Sequence, residues 1–164
     1  MGALLDRAVA VTVGAELRQA GKRLVFTNGI FDLLHAGHVA YLAAAREMGD
    51  FLLVGLNSDA GARRLKGPGR PLVPAADRAS VLLALRVVDA IVVFDELTAS
   101  SLISALKPAV YVKGGDYNVA GAGAGTPLPE EPAVRAYGGE IFLVPYRPGY
   151  STSDLVARIR ATMP

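Results

Sequence analysis

Cysteine is absent from this 164-residue chain and histidine occurs only twice. Without thiols, neither a disulfide nor a thiolate metal centre can contribute to stability or chemistry. Long hydrophobic runs are missing too. Apolar residues make up 52% of the chain, but Gly, Pro or a charge interrupts them every few positions, so no segment is long enough to span a bilayer as a helix. The first twenty residues carry the amphipathic spacing of Leu4, Leu5, Ala8, Val9, Val13, Leu17 and Ala20 in place of an export signal's basic start and unbroken apolar core. A cytoplasmic location with no membrane partner is expected. Charge of one sign is also scarce: 17 basic against 15 acidic residues leave a formal charge of +2, which argues against nucleic acid as a partner.

What is present fits one domain built around one sheet. Short β-branched or apolar runs alternate with helical patterns, as in an α/β, doubly wound parallel sheet covered on both faces. Five strands are expected, at 24–27, 51–56, 90–94, 109–112 and 140–144. Helices are expected at 39–48, 77–85, 98–106, 131–137 and 152–162. Such sheets bind ligands at the carboxyl ends of their strands, near the point where strand order reverses. The Gly-, Ala- and Pro-rich stretch 120–132 lacks periodicity and is expected to be a mobile surface loop.

Both histidines fall in one short segment, His35-Ala36-Gly37-His38, between the first expected strand and a helix. A helix start offers unpaired backbone N–H groups and the positive end of the dipole, a ready phosphate site that Gly37 lets the backbone approach. Paired imidazoles there can donate to the non-bridging oxygens of a reacting phosphate. Zinc fits less well, because two histidines with neither cysteine nor a suitably spaced helical glutamate supply too few ligands. After the second strand, Asn57-Ser58-Asp59 leads into a basic loop from Arg63 to Pro71. Arg63 and Arg64 in that loop are expected to solvate the surface. Arg78 stands at a helix start, where the dipole disfavours a cation; a binding role and an ion pair with Asp77 or Asp95 are both open. After the fourth strand, Gly114 and Gly115 allow a tight backbone path, while Lys113 and Asp116 can address phosphate and sugar hydroxyls. Ser151, Thr152 and Ser153 precede the last helix, and one of the three hydroxyls is needed as an N-cap.

In this order, these segments resemble the HxGH nucleotidyltransferases, also called cytidylyltransferase-like proteins, over almost the whole chain. The run from Thr27 to His38, Asn57-Ser58-Asp59, Lys113-Gly114-Gly115-Asp116-Tyr117 and Ser151-Thr152-Ser153 look most like the branch that makes ADP-heptose from D-glycero-D-manno-heptose 1-phosphate. The resemblance implies a Rossmann-like nucleotidyltransferase fold that passes the adenylyl group of ATP to a sugar 1-phosphate. It implies catalytic roles for His35, His38 and Lys66, and a nucleotide site lined by Thr27, Asn28, Gly29, Phe31, Gly37, Lys113 and Gly114. Ser151, Thr152 and Ser153 would hold the β- and γ-phosphates. Asp32, Asn57, Asp59, Arg70, Arg78, Asp116 and Tyr117 would serve the acceptor. Mg2+ carried mainly by the triphosphate is the expected cofactor and a homodimer the expected assembly. A separate sugar kinase would supply the acceptor. Two alternatives stay open: a glycerol-3-phosphate or other phospho-alcohol cytidylyltransferase using CTP, and a non-catalytic nucleotide-binding sensor.

Overall fold

The computed structural model describes residues 2–115, 117–119, 125–145 and 149–162. Its chain order is β1 (Ala3–Leu5), α1 (Arg7–Gln19), β2 (Leu24–Gly29), α2 (Ala36–Arg46), β3 (Phe51–Asn57), α3 (Asp59–Lys66), α4 (Ala75–Leu83) and β4 (Ala90–Phe94). There follow α5 (Ser100–Leu106), β5 (Val110–Gly114), β6 (Tyr117–Asn118), β7 (Thr126–Pro127), α6 (Glu131–Arg135), β8 (Glu140–Val144) and α7 (Thr152–Thr162). None of the described helices is long and apolar enough to cross a membrane.

The main sheet has six parallel strands in the order β1-β4-β3-β2-β5-β8, one more than the sequence suggests. The additional strand is β1, which pairs Ala3 to Leu5 with Ala90 to Val92 at the sheet edge. Three residues are too few to display a period of two, and Leu4 and Leu5 merge with the helical stripe that follows. A second correction concerns the basic loop expected from Arg63 to Pro71: its first part, residues 63–66, belongs to the helix α3, and only residues 67–71 lie outside it. Ser58 caps α3 by accepting the Gly61 N–H, Asp59 stands in its first turn, and Arg63, Arg64 and Lys66 stand in its last, where the dipole favours them. The face α3 buries consists only of Gly61 and Ala62, too small to register as an apolar stripe.

Alternation along the strands divides the core into two layers. Leu24, Phe26, Leu53, Val92 and Tyr111 point to one face and pack with Ala10 of α1, Leu102, Ile103 and Leu106 of α5, and Val134 of α6. Val25, Leu52, Val54, Ile91 and Val112 point to the other, against Leu42 and Ala45 of α2 and Ala79 and Leu82 of α4. A fully buried aliphatic or aromatic side chain contributes about 1.5–3 kcal/mol, so these two layers hold the fold without cross-links. Leu128, just after β7, belongs to the first layer and Glu130 is buried beside it. The second half of the Gly/Ala/Pro-rich stretch is therefore docked, contrary to the expectation of a surface loop; one leucine anchors it where composition signals only turns.

From β2 the chain builds outward through β3 and β4, then returns to the other side of β2 for β5 and β8. Strand order thus reverses between β2 and β5, the position at which open α/β sheets bind ligands beyond the carboxyl ends of their strands.

Candidate active site

Beyond Gly29 the chain turns sharply, with Phe31 and Leu33 both left-handed at φ 51° and 48°. Such backbone costs on the order of 1 kcal/mol or more per residue, so surrounding bonds must hold it. Asp32, between them and only 5% exposed, supplies them. Its Oδ1 accepts the Val73 N–H at 3.0 Å, while its Oδ2 accepts the Leu72 N–H at 2.8 Å and an Arg70 N–H at 3.1 Å. Burial alone would raise the Asp32 pKa, but the two backbone donors and Arg70 outweigh it and hold the carboxyl below its usual range. Its main-chain oxygen accepts the Thr152 hydroxyl at 2.9 Å.

His35 is the N-cap of α2, which starts three residues earlier than the sequence suggests because the imidazole does the capping. Its Nδ1 accepts the Gly37 N–H at 3.1 Å, and the Nδ1 of His38 accepts the His35 N–H at 3.4 Å. The rings stack with centroids 3.9 Å apart and planes at 25°. An Nδ1 that accepts carries no proton, so each neutral ring bears its hydrogen on Nε2. Burial lowers the His38 pKa to about 4, helped by repulsion from His35 and opposed by Asp32; burial also lowers His35. The Nε2 of His35 is buried without a hydrogen-bond partner. The N-terminus of α2 thus presents neutral N–H donors beside its own free amides.

Gly37 joins this turn to the end of the chain. A Cβ there would lie 2.8 Å from Cβ of Tyr150 and 3.0 Å from the His35 ring, so only glycine lets the segment before α7 rest on the histidine turn. Ser151 caps α7 by accepting the Asp154 N–H at 3.0 Å, Thr152 ties to Asp32, and Ser153 remains exposed. The three hydroxyls therefore divide into cap, tether and open donor.

On the opposite face of the sheet, Oδ1 of Asn28 accepts the Tyr111 hydroxyl at 2.6 Å and the Lys113 ammonium at 3.3 Å. Lys113 also sits 5.3 Å from the Tyr117 ring centre. Burial lowers the Lys113 pKa and Glu130 opposes the shift. Thr27 pairs with the Tyr41 hydroxyl at 2.5 Å, which donates to the Val112 carbonyl at 3.0 Å. A Cβ on Gly114 would come 3.1 Å from the Tyr41 ring, and one on Gly29 would come 3.1 Å from the Phe31 ring. Asp116 lies outside the described residues.

Arg78 is committed to the protein. It is 2% exposed, and its guanidinium donates to the carbonyls of Val73, Ile30 and Asn57 at 2.8, 2.5 and 3.0 Å and to Asp59 Oδ1 at 2.7 Å. Its acidic partner is Asp59, and not Asp77 or Asp95; the same Asp59 oxygen accepts the Ala75 N–H at 2.9 Å. Asn57 is buried, and its Nδ2 has no hydrogen-bond partner. Arg70 stays half-buried on Asp32, and Lys66 is exposed in the last turn of α3, beside Gly67 and Gly69 at φ 89° and 84°. A mostly apolar cavity of about 310 Å³, lined by Phe31, Leu33, Leu34, Val73, Val81 and Leu155 together with the committed Arg78, lies next to these loops. Its walls suit carbon and not phosphate. Sequence reasoning missed Tyr41, Tyr111, Glu130 and Tyr150, which act through packing or through neighbours distant in sequence.

Comparison with known proteins shows the family and the fold. The model of the cytidylyltransferase-like family matches residues 26–158. The bifunctional protein HldE of Geotalea uraniireducens is 52% identical over 155 residues, covering 93% of this chain and 30% of that protein. The bifunctional protein HldE of Streptomyces coelicolor is 48% identical over 158 residues, covering 96% and 33%. The chain spans about a third of the length of these curated relatives. Among solved structures, the lipopolysaccharide core biosynthesis protein of Thermoplasma volcanium superposes with a TM-score of 0.60 at 26% identity, covering 77% of this chain and 98% of that one. The pantoate-beta-alanine ligase of Francisella tularensis shares the fold, with a TM-score of 0.60 at 11% identity, covering 98% of this chain and 77% of that one. Matched along most of its length by the family model and by relatives near half identity, the chain belongs to the cytidylyltransferase-like family and is a nucleotidyltransferase.

Proposed function

We propose that the chain transfers the adenylyl group of ATP to a sugar 1-phosphate, D-glycero-D-manno-heptose 1-phosphate, with release of pyrophosphate. One observation carries this reading: the paired imidazoles and the head of α7 share one neighbourhood, joined by the bond from Thr152 to Asp32 and by the contact of Tyr150 with Gly37. A triphosphate laid across it meets N–H donors at both ends. The choice of acceptor is supported by the heptose-like segments and by the HldE relatives.

In this mechanism an acceptor phosphate oxygen attacks the α-phosphorus in line, the bond to the bridging oxygen breaks, and the electron pair leaves on pyrophosphate. The attacking oxygen is ionised near neutral pH, so no side-chain nucleophile is required and catalysis rests on alignment and charge neutralisation. The Nε2–H groups of His35 and His38 donate to the α-phosphate oxygens. The first amides of α7 and the Ser153 hydroxyl receive the departing phosphates. Lys66 and Arg70 lie at the two ends of a Gly- and Pro-containing loop that can fold over the acceptor phosphate. Asn28 and Lys113 hold the nucleotide from the opposite face of the sheet. Magnesium, which neutralises triphosphate charge when bound, would be held mainly by phosphate oxygens, since no group of three metal-ligating side chains converges among the described residues. A sugar kinase activity must supply the acceptor, and a homodimer is the proposed assembly.

The test is a matrix of ATP and CTP against heptose 1-phosphate, other sugar phosphates and glycerol 3-phosphate, with mass detection of products. ADP-heptose formed together with pyrophosphate is the expected result. CDP-glycerol would make the chain a phospho-alcohol cytidylyltransferase, and tight ATP binding with no pyrophosphate from any acceptor would make it a sensor.

A further inference from the structure

Glu130 has no place in the mechanism above, yet it is 3% exposed, a costly position for a carboxylate. One oxygen accepts the Ala99 N–H at 3.1 Å, at the residue just before α5. That accounts for half of the group. The other oxygen is buried without a well-formed hydrogen bond; burial raises the Tyr111 pKa and Glu130 adds to that shift, whereas burial lowers the Lys113 pKa and Glu130 opposes it.

Tyr111 is fully buried, stacked on Phe26 with ring centres 6.1 Å apart, and its hydroxyl reaches Asn28. An ammonium can only donate, so the Asn28 atom shared by Lys113 and Tyr111 is the carbonyl oxygen, and the flip of the amide is fixed. Its NH2 group then points away from this pair of donors. The four residues come from β2, β5 and the segment before α6, and they meet where strand order reverses.

We propose that Glu130 and Tyr111 are positioning residues: through a buried Glu130–Tyr111–Asn28–Lys113 chain they orient the Asn28 amide and keep the Lys113 ammonium in place to receive the nucleotide. The role rests on the nucleotide reading of the site given above. Glu130 supplies the negative charge that favours a protonated Lys113 in a buried setting, and Tyr111 supplies the donor that fixes Asn28. Neither approaches the reacting phosphorus. The titratable or charged groups facing this cluster among the described residues are Tyr41, Tyr111, Lys113, Tyr117 and Glu130.

The experiment is calorimetric titration of the full chain with ATP from pH 7 to 10, alongside steady-state kinetics, for wild type, E130Q and Y111F. E130Q is expected to raise the ATP Kd about tenfold and to move the alkaline loss of binding to lower pH, because Lys113 loses its counter-charge. Y111F, which keeps the ring and leaves Glu130 on Ala99, is expected to raise the Kd about three- to tenfold without moving that limb. Both should leave kcat at saturating ATP within about threefold, a split between binding and turnover that general loosening of the fold would not give. Wild-type affinity and an unmoved alkaline limb in E130Q would overturn the proposal. If E130Q does not fold, wild-type ATP affinity in Y111F would overturn it alone. Failure of the wild-type chain to bind ATP would instead overturn the nucleotide reading, and this inference with it.

Discussion

At the scale of single residues, two imidazoles serve as caps and as donors at once. His35 and His38 use Nδ1 to close the first turn of α2, which leaves the proton of each neutral ring on Nε2, the donor that the proposed mechanism assigns to the phosphate. Asparagine can accept the same backbone hydrogen bonds but cannot place the donor in the same position. His35→Asn and His38→Asn should each fold and lose about 10²–10³ in kcat, the contribution usual for a donor to a transition-state oxyanion; pyrophosphate release measures it. The depressed His38 pKa also has a stability consequence. The folded state resists protonation until about pH 4, whereas the unfolded chain protonates near 6.5. His38 therefore contributes fully above pH 6.5, and its contribution falls as pH drops through that window. The loss should be on the order of 2 kcal/mol, allowing for partial exposure. Urea unfolding of wild type and His38→Asn from pH 7 to 4 should show the two stabilities converging; a constant gap would refute the linkage.

At the scale of elements, the loops are held by clasps that only tertiary structure reveals. Arg78 binds the turn after β2, the end of β3 and the segment before α4 in one set of hydrogen bonds. Arg78→Met should cost about 3 kcal/mol in urea unfolding, because three carbonyls and Asp59 lose a charged donor. Gly37→Ala should press on Tyr150 and lift the head of α7, raising the nucleotide KM about tenfold with little change in Tm. The elements differ in how plainly the sequence announces them. β4, β8 and α7 are legible to the residue, because apolar runs or caps bound them sharply. β1 is too short to show a period, and the buried face of α3 is only a glycine and an alanine. The histidine turn and the Ser/Thr cap are legible because the chemistry of a helix start is local. The bond from Thr152 to Asp32, the Arg78 clasp and the Glu130 cluster are not, because each joins residues far apart along the chain.

At the scale of the whole molecule, a parallel sheet reverses its strand order between β2 and β5, and every segment assigned to the ligand begins at or near that edge. The imidazoles and α7 approach from one face of β2, and Asn28 and Lys113 from the other. In the proposed mechanism a nucleotide held between them would have its reactive phosphorus at the histidines and its leaving group at α7. The most direct test is a crystal structure of the chain with the non-cleavable analogue α,β-methylene-ATP and magnesium. The predicted result places the α-phosphate oxygens within about 3.2 Å of the Nε2 atoms of His35 and His38, with the β- and γ-phosphates on the first amides of α7. A triphosphate bound elsewhere, or one running the opposite way, would contradict the account.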